Sequence, residues 1–380
     1  MAARDDTAVL VDGARTPIGR FGRALADVEA VDLGAHAVQE TLRRCPGLDP
    51  DHIVMGNVLQ AANGQNPARQ AAIRGGVRRD VPGTTINDVC LASMSSVALA
   101  AGMVREGEAD CVLVGGFDSM SRAPHAVQRT PEDPPLDLMV HDGLYCSIDD
   151  VGMGELSDAE NERLEITRAA QDMLALRSHE RAAAATAEGR LAQEIAPLPQ
   201  LATDEGIRTD TSLEKLAALQ PAFTPQGTIT AGNASQMSDG GAAGIVTTRA
   251  RARAEGHEPL AEIAGRAMIA GPDSSLHLRP AEASAKLLER HGLQPGDIDL
   301  WEINEAFAGV VVASCASLGI DTERVNVNGG AVALGHPLGA SGMRLVLTLA
   351  YEMRRRGAEL GVATLCGGGG QGEALLLRAP

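Results

Sequence analysis

Lysine is almost missing from this sequence: Lys215 and Lys286 are the only two in 380 residues. The 33 basic side chains are therefore nearly all arginine, and against 50 acidic ones they leave a net charge of −17. Such a surface repels a phosphate backbone, so no nucleic acid is expected as a partner. A phosphorylated small ligand would have to be held by a few placed arginines or by backbone amides. No run approaches the roughly 18 apolar residues that a membrane span requires, so no membrane partner is expected either. The first residues, MAARDDTAVLVDGARTP, mix charges with a short apolar run and lack a small-residue cleavage site. The last, LLLRAP, carry no receptor-read address of the SKL or KDEL kind. The expected location is cytoplasmic.

Paired-cysteine motifs are missing too. The six cysteines, Cys45, Cys90, Cys111, Cys146, Cys315 and Cys366, form no C-x-x-C and no zinc-spaced cluster with histidine. Neither a metal site nor a disulfide framework is expected. Cys111 in DCVLVGG and Cys315 in VVVASCASLGI read as small buried hydrophobes. Cys90 and Cys366 differ, because they stand at element ends beside glycine and small residues.

What the sequence does have is a repeat. A helix over 31–44, a D-P-D-H turn and a strand over 52–60 are echoed by a helix over 281–291, a Q-P-G-D turn and a strand over 298–306. The stretch 87–116 likewise resembles 326–369, each running from a small-residue turn through a helix into an apolar strand and glycines. Helices alternating with short apolar runs predict an α/β fold of βαβ type with strands buried on both faces. The predicted organisation is a first half over 1–116 plus 239–263, an inserted loop domain over 117–238 and a second half over 264–380. Within the insertion, TPEDPPLDL is proline-rich and TRAAQDMLALRSHERAAAATAEGRL reads as a solvated helix. Loop-built insertions over a rigid core are where substrate binding is often placed.

Four places could carry chemistry. Cys90 follows the strand end TTIND and opens a helix, where the dipole and free amides favour thiolate; Ala92, Ser93, Ser95 and Ser96 are small enough to leave room for a substrate. The plainer alternative is a buried structural cysteine. His336, in the repeat-equivalent turn ALGHPLGASG, is framed by Gly335 and Pro337 at the mouth of a helix. Cys366 enters the run CGGGGQG, which has no packing use and leaves N–H groups bare for an anionic oxygen. Asn304 in NEAFA could orient a water or donate to an oxyanion, with a capping role as the plainer alternative.

Together the motifs VDGARTPIGRFG, GQNPARQAA, the Cys90 turn, GGFDSMSRAPH, TITAGNASQMSDGGAA, NEAFA, NVNGGAVALGHPLGASG and the final CGGGG resemble the thiolase family, in its order and over nearly the whole chain. The resemblance implies duplicated βαβαβαββ halves in five αβαβα layers with an inserted loop domain that binds coenzyme A. It implies Cys90 as the acylated nucleophile and His336 as the group that takes its proton. Cys366 is implied as the acid or base at the substrate α-carbon or the CoA sulfur. Asn304 is implied to position a water that completes one oxyanion hole with His336, and the backbone amides of Cys90 and Gly368 to form a second. Ser235, Phe223, Phe307 and Met153 match the pantetheine tunnel, and Arg208 matches an arginine near the nucleotide. No cofactor is bound permanently on this reading; acyl-CoA and CoA are substrate and product. Within the family the likeness is greatest to the acetyl-CoA acetyltransferases, which implies a homodimer or a dimer of dimers.

The sequence also departs from the family pattern. Ala92 replaces a Ser or Thr, Gly152-Met153-Gly154 replaces His-Met-Gly, and SLHLRPAEA replaces a Met-Gly turn facing the tunnel. The stretches 125–143 and 195–205 are shorter than in tetrameric relatives. A degradative 3-ketoacyl-CoA thiolase of broader chain length is the alternative, although Met139, Leu144 and Met153 should crowd the acyl end. A non-catalytic scaffold should have lost one of the four groups, and none is lost. A ketoacyl synthase would carry a second histidine in place of Cys366.

Overall fold

Nine apolar runs form one continuous path of strands. They are Ala8–Arg15 (β1), His52–Gly56 (β2), Gly83–Ile86 (β3), Cys111–Ser119 (β4), Ser238–Thr248 (β5), Ala261–Ala270 (β6), Leu300–Ile303 (β7), Leu360–Gly367 (β8) and Gln371–Arg378 (β9). Their order is β7-β8-β9-β6-β1-β5-β4-β2-β3, with the short strand Gly19–Arg20 pairing alongside β5. The computed structural model describes residues 7–127, 129 and 134–380. Residues 128 and 130–133, in the short 125–143 loop and the proline-rich TPEDPPLDL, lie outside the described residues.

The repeat read from sequence is a repeat of pairing geometry. In the first half β1 pairs antiparallel with β5, β5 antiparallel with β4, and β4 parallel with β2. In the second half β6 pairs antiparallel with β9, β9 antiparallel with β8, and β8 parallel with β7. The halves join where Val9 and Leu10 of β1 face Glu262 and Ala261 of β6. Strand β3 extends the first half beyond β2, in parallel, and forms its outer edge.

Helix packing turns these halves into five layers. Ala30–Arg44 (α1) covers the outer face of the first half through Val31 and Val38 against Phe117 and Ile245. Ala92–Glu106 (α2) and Leu338–Arg356 (α7) fill the space between the halves, with Met94, Val97, Met343 and Leu347 packed on Val112, Val114, Leu375 and Leu377. Arg279–His291 (α5) and Ala308–Leu318 (α6) cover the outer face of the second half through Leu287 and Val311 against Trp301. Contrary to the sequence reading, Val89–Glu106 is long and apolar enough to meet the length and composition of a membrane span. It meets them because α2 is a core helix whose buried face packs between the two halves, with Leu99 on the exposed one.

Between Ser119 and Ser238 the chain leaves the sheet and builds Met153–Arg163 (α3), Arg168–Ala187 (α4) and their connecting loops. Helix α4 is not the solvated helix its composition suggests. Gln171, Asp172, Ala175, Ser178, His179, Ala182 and Ala185 are buried. That face is small and polar, so it carries no apolar stripe for sequence periodicity to register. It is nonetheless matched to its neighbours: Ser178 Oγ donates to Glu305 at 2.7 Å, and a Cβ on Gly329 would collide with Ala182.

Candidate active site

Each half presents a reactive side chain in the turn ahead of its central helix, and the second half adds Cys366 near the end of β8. Cys90 lies just outside α2, whose first turn begins after Leu91. The residue before it, Val89, has φ +52°. A β-branched side chain in the left-handed region is strained by about 1–3 kcal/mol and persists only where its surroundings enforce it. Here Asn87 enforces it: its Oδ1 accepts from Val89 N at 3.0 Å, while its Nδ2 donates to the Val58 carbonyl. The strained turn presents the Cys90 thiol to a cavity.

His336 lies two residues before α7 and is buried. Its Nδ1 is 2.5 Å from Ser341 Oγ, and that hydroxyl donates its own proton to the Pro337 carbonyl at 2.8 Å. The hydroxyl must then accept from Nδ1–H, which leaves Nε2 as the lone-pair nitrogen. Asn304, at the end of β7, holds its Nδ2 3.3 Å from that Nε2. Asn304 N donates to the Thr364 carbonyl on β8, so this residue is tied to the strand that carries Cys366.

An inner cavity of about 60 Å³ is lined by Cys90, Cys366, His336, Gly368, Ser235, Met153, Leu144, Leu276, Ala306, Phe307 and Leu338, among others. The four groups singled out from sequence are thus three on one cavity wall and Asn304 directly behind the imidazole. An outer chamber of about 460 Å³ shares Ser235, Met153, Leu144, Phe307, His336 and Leu338 with it and continues past Phe223 to Arg208. Phe223 and Phe307 meet edge to face, with ring centroids 6.0 Å apart. All five tunnel and nucleotide residues expected from sequence therefore line one continuous passage.

Electrostatics correct one expectation. The dipole of α2 does not leave Cys90 an acidic thiol. Burial pushes its pKa up to about 12, against the amides of Cys90 and Gly368, which pull it down, and the carboxylate of Asp118 adds to the upward push. Burial likewise pushes His336 down to about 3, assisted by the charge of Arg344. Cys366 is raised by burial and then by Cys90. All three shifts favour the neutral form of each group.

Three further details differ from the sequence reading. Ser93, Ser95 and Ser96 are buried and engaged in packing rather than leaving room for substrate: Ser93 Oγ accepts from Met343 N, Ser95 Oγ donates to Glu373, and Ser96 Oγ donates to the Ser93 carbonyl. The glycine run after Cys366 does have a packing use. A Cβ on Gly367 would strike Leu91, and Gly370, at φ +71°, has the Asp273 carbonyl where a side chain would go. Met139 backs the acyl end instead of lining it, packing with Leu59, Ala92, Met120 and Leu338.

Residues 8–250 match the family model of the thiolase N-terminal domain, and residues 257–379 match that of the thiolase C-terminal domain. The chain belongs to the thiolase family. It is 46% identical to a Mycolicibacterium smegmatis protein described as "Probable acetyl-CoA acetyltransferase", over 97% of this chain and 100% of that one. The crystal structure of the Bacillus anthracis acetyl-CoA acetyltransferase superposes with a TM-score of 0.94 at 37% identity, covering 98% and 99% of the two chains. Human mitochondrial 3-ketoacyl-CoA thiolase superposes with the same TM-score at 34% identity and the same coverage. Backbone likeness alone therefore does not separate acetyl-specific thiolases from those of broader range.

In this thiolase several wall residues were missed from sequence. Arg20 faces the outer chamber with Arg208. Burial and then the like charge of Arg20 lower the Arg208 pKa, with Asp210 opposing. Two guanidiniums are thus brought together at the chamber mouth of a protein whose net charge is −17. Leu276 and Leu338 close the inner cavity. Leu276 belongs to the SLHLRPAEA segment that departs from the family pattern, and the neighbouring His277 is turned away into the core, 2.9 Å from Asn161 Oδ1.

Proposed function

We propose that this thiolase is an acetyl-CoA C-acetyltransferase. It joins two molecules of acetyl-CoA into acetoacetyl-CoA and free CoA, or runs the reverse thiolysis, through an acyl group carried on Cys90. The observation that supports this best is the inner cavity: it is small, apolar, and lined by two thiols and an imidazole whose Nδ1 is tied to Ser341, which leaves Nε2 unprotonated. Similarity to acetyl-CoA acetyltransferases over nearly the full chain supports the acetyl unit.

The chemistry starts from the neutral form of each group. Cys90 gives its proton to His336 Nε2 as its sulfur attacks the thioester carbon, and the oxyanion meets the amides of Cys90 and Gly368. The C–S bond to CoA breaks, and the departing sulfur leaves as a thiol with the proton of Cys366. Cys366, now a thiolate of raised basicity, takes a proton from the α-carbon of the second acetyl-CoA. The resulting enolate oxygen faces His336 Nε2–H and a water positioned by Asn304. Its carbon attacks the Cys90 thioester, and the Cys90 sulfur leaves and recovers its proton from His336. Protons and charge balance over the cycle. The pantetheine arm lies along Ser235, Met153, Phe223 and Phe307, with the nucleotide phosphates at Arg208 and Arg20.

The sheet supports self-association. Among the described residues strand β3 ends the path with an unpaired edge, whereas β7 at the other end is covered by a bridge from Trp301 to Val325. An uncovered edge favours pairing with an identical strand across a two-fold axis, which gives a dimer.

Acetoacetyl-CoA and free CoA, followed by loss of the enolate absorbance, test the reading. Turnover with four-carbon substrate exceeding that with eight and sixteen carbons is the expected result. A rise with chain length would make the chain a degradative 3-ketoacyl-CoA thiolase instead.

A further inference from the structure

Asp118 sits in β4, outside every wall of the cavity, and is fully buried. Its carboxylate is held by four uncharged residues: Asn57 Nδ2 donates at 2.7 Å, Leu59 N at 2.9 Å, Val58 N at 3.2 Å to the same oxygen, and Gly339 N at 2.6 Å to the other. Two of these contacts lead to the two reacting groups. Gly339 is in the first turn of α7, three residues beyond His336, and α7 has no capping side chain of its own. The carboxylate therefore caps that helix from the other half of the molecule, satisfying a free amide at its positive end. The same α7 turn carries Ser341, which fixes the imidazole. On the other side, Val58 accepts from Asn87 through its carbonyl, and Asn87 in turn holds the strained Val89 that precedes Cys90. Gly56 and Leu59, from the same loop, pack directly on Ala92 at the start of α2.

We infer that Asp118 is a positioning residue, one carboxylate that fixes the base-bearing turn of the second half against the nucleophile-bearing turn of the first. Burial pushes the Asp118 carboxyl up to about 7, opposed by the amides of Leu59, Gly339 and Val58 and by Asn57, and every one of these contacts is a donor that suits the ionised form. An isosteric amide cannot reproduce the arrangement. Asn offers one acceptor oxygen where two are used, and its NH₂ would face an N–H donor.

The inference rests on His336 being the base for Cys90, and the test separates the two ideas. Asp118→Asn, His336→Ala and the double variant are compared for the single-turnover rate of Cys90 acetylation by acetyl-CoA, read by mass spectrometry. Asp118→Asn is expected to slow acetylation at least tenfold in the native background and less than twofold in the His336→Ala background. Its steady-state KM for acetoacetyl-CoA and CoA should stay within twofold. An equal loss in both backgrounds, or a KM that rises as kcat falls, overturns the positioning role. A His336→Ala chain that acetylates at the native rate overturns the reading of the base instead. Asp118→Glu, which keeps both acceptors one methylene further out, is measured in parallel so that a fold lost to the amide does not decide the question. A kcat between those of wild type and zero, at unchanged KM, is expected of it, and an unchanged kcat would refute the inference.

Discussion

Ser341 Oγ stands between the His336 imidazole and the Pro337 carbonyl, accepting at 2.5 Å from the first and donating at 2.8 Å to the second. That one hydroxyl decides which imidazole nitrogen is free to act. In Ser341→Ala the ring is free to change tautomer, and Nε2 is unprotonated for only part of the time. Losing one such hydrogen bond is worth roughly 1–1.5 kcal/mol, so kcat should fall about tenfold with KM for CoA unchanged. Stopped-flow acylation and steady-state thiolysis should fall together.

The two thiols should fail differently. Cys366→Ser should still be acetylated on Cys90, though more slowly, because the attack needs only Cys90, His336 and the two amides and the CoA sulfur can leave as a thiolate. It should not complete condensation, since a hydroxyl cannot be an effective base at the α-carbon near neutral pH. Separate measurement of hydrogen exchange at the acetyl-CoA methyl group and of Cys90 acetylation checks this. Equal loss of both would argue against distinct roles.

Arg208→Ala and Arg20→Ala should each raise the KM for CoA about tenfold while lowering kcat less than twofold. A phosphate contact far from the reacting carbon is made equally in ground and transition states, and charge-assisted hydrogen bonds are worth roughly 1.5–3 kcal/mol. The KM of the native enzyme should also rise with added salt, because the site mouth is exposed at Arg20. An effect confined to kcat would displace the nucleotide from this mouth.

The order of elements is legible in the sequence because buried strands and glycine turns recur in both halves, and that repeat alone sets Cys90 and His336 at equivalent turns. What sequence could not supply was which side chains meet. Ser341 reads as one more small residue in GASG, Arg20 as one more surface arginine, and Asp118 as part of a turn after glycines. Each acquires its role from a residue about 5, 190 or 220 positions away, through contacts that no local period encodes. The same blindness explains the misjudged thiol: the helix start is visible in sequence, but the burial that outweighs it is not.

Leu144 and Leu276 should set chain length. Both line the inner cavity, and each methylene accommodated there is worth roughly 0.8 kcal/mol of burial. Leu276→Ala should raise kcat/KM for six-carbon ketoacyl-CoA relative to four-carbon by several-fold, without altering the KM for CoA. A ratio that does not move would place the acyl end elsewhere.

Light scattering at micromolar concentration should give at least a dimer. A charge introduced on the β3 edge, as in Thr84→Lys, should shift it toward monomer; a native monomer would refute pairing through that edge.

The most direct test of acyl transfer through Cys90 is to incubate the protein with acetyl-CoA, quench in acid and map the acetyl group by peptide mass spectrometry. A single acetyl group is predicted on Cys90, retained in Cys366→Ser, strongly slowed in His336→Ala and discharged by added CoA. An acetyl group on Cys366 or another residue, or none at all while acetoacetyl-CoA is still formed, would contradict it.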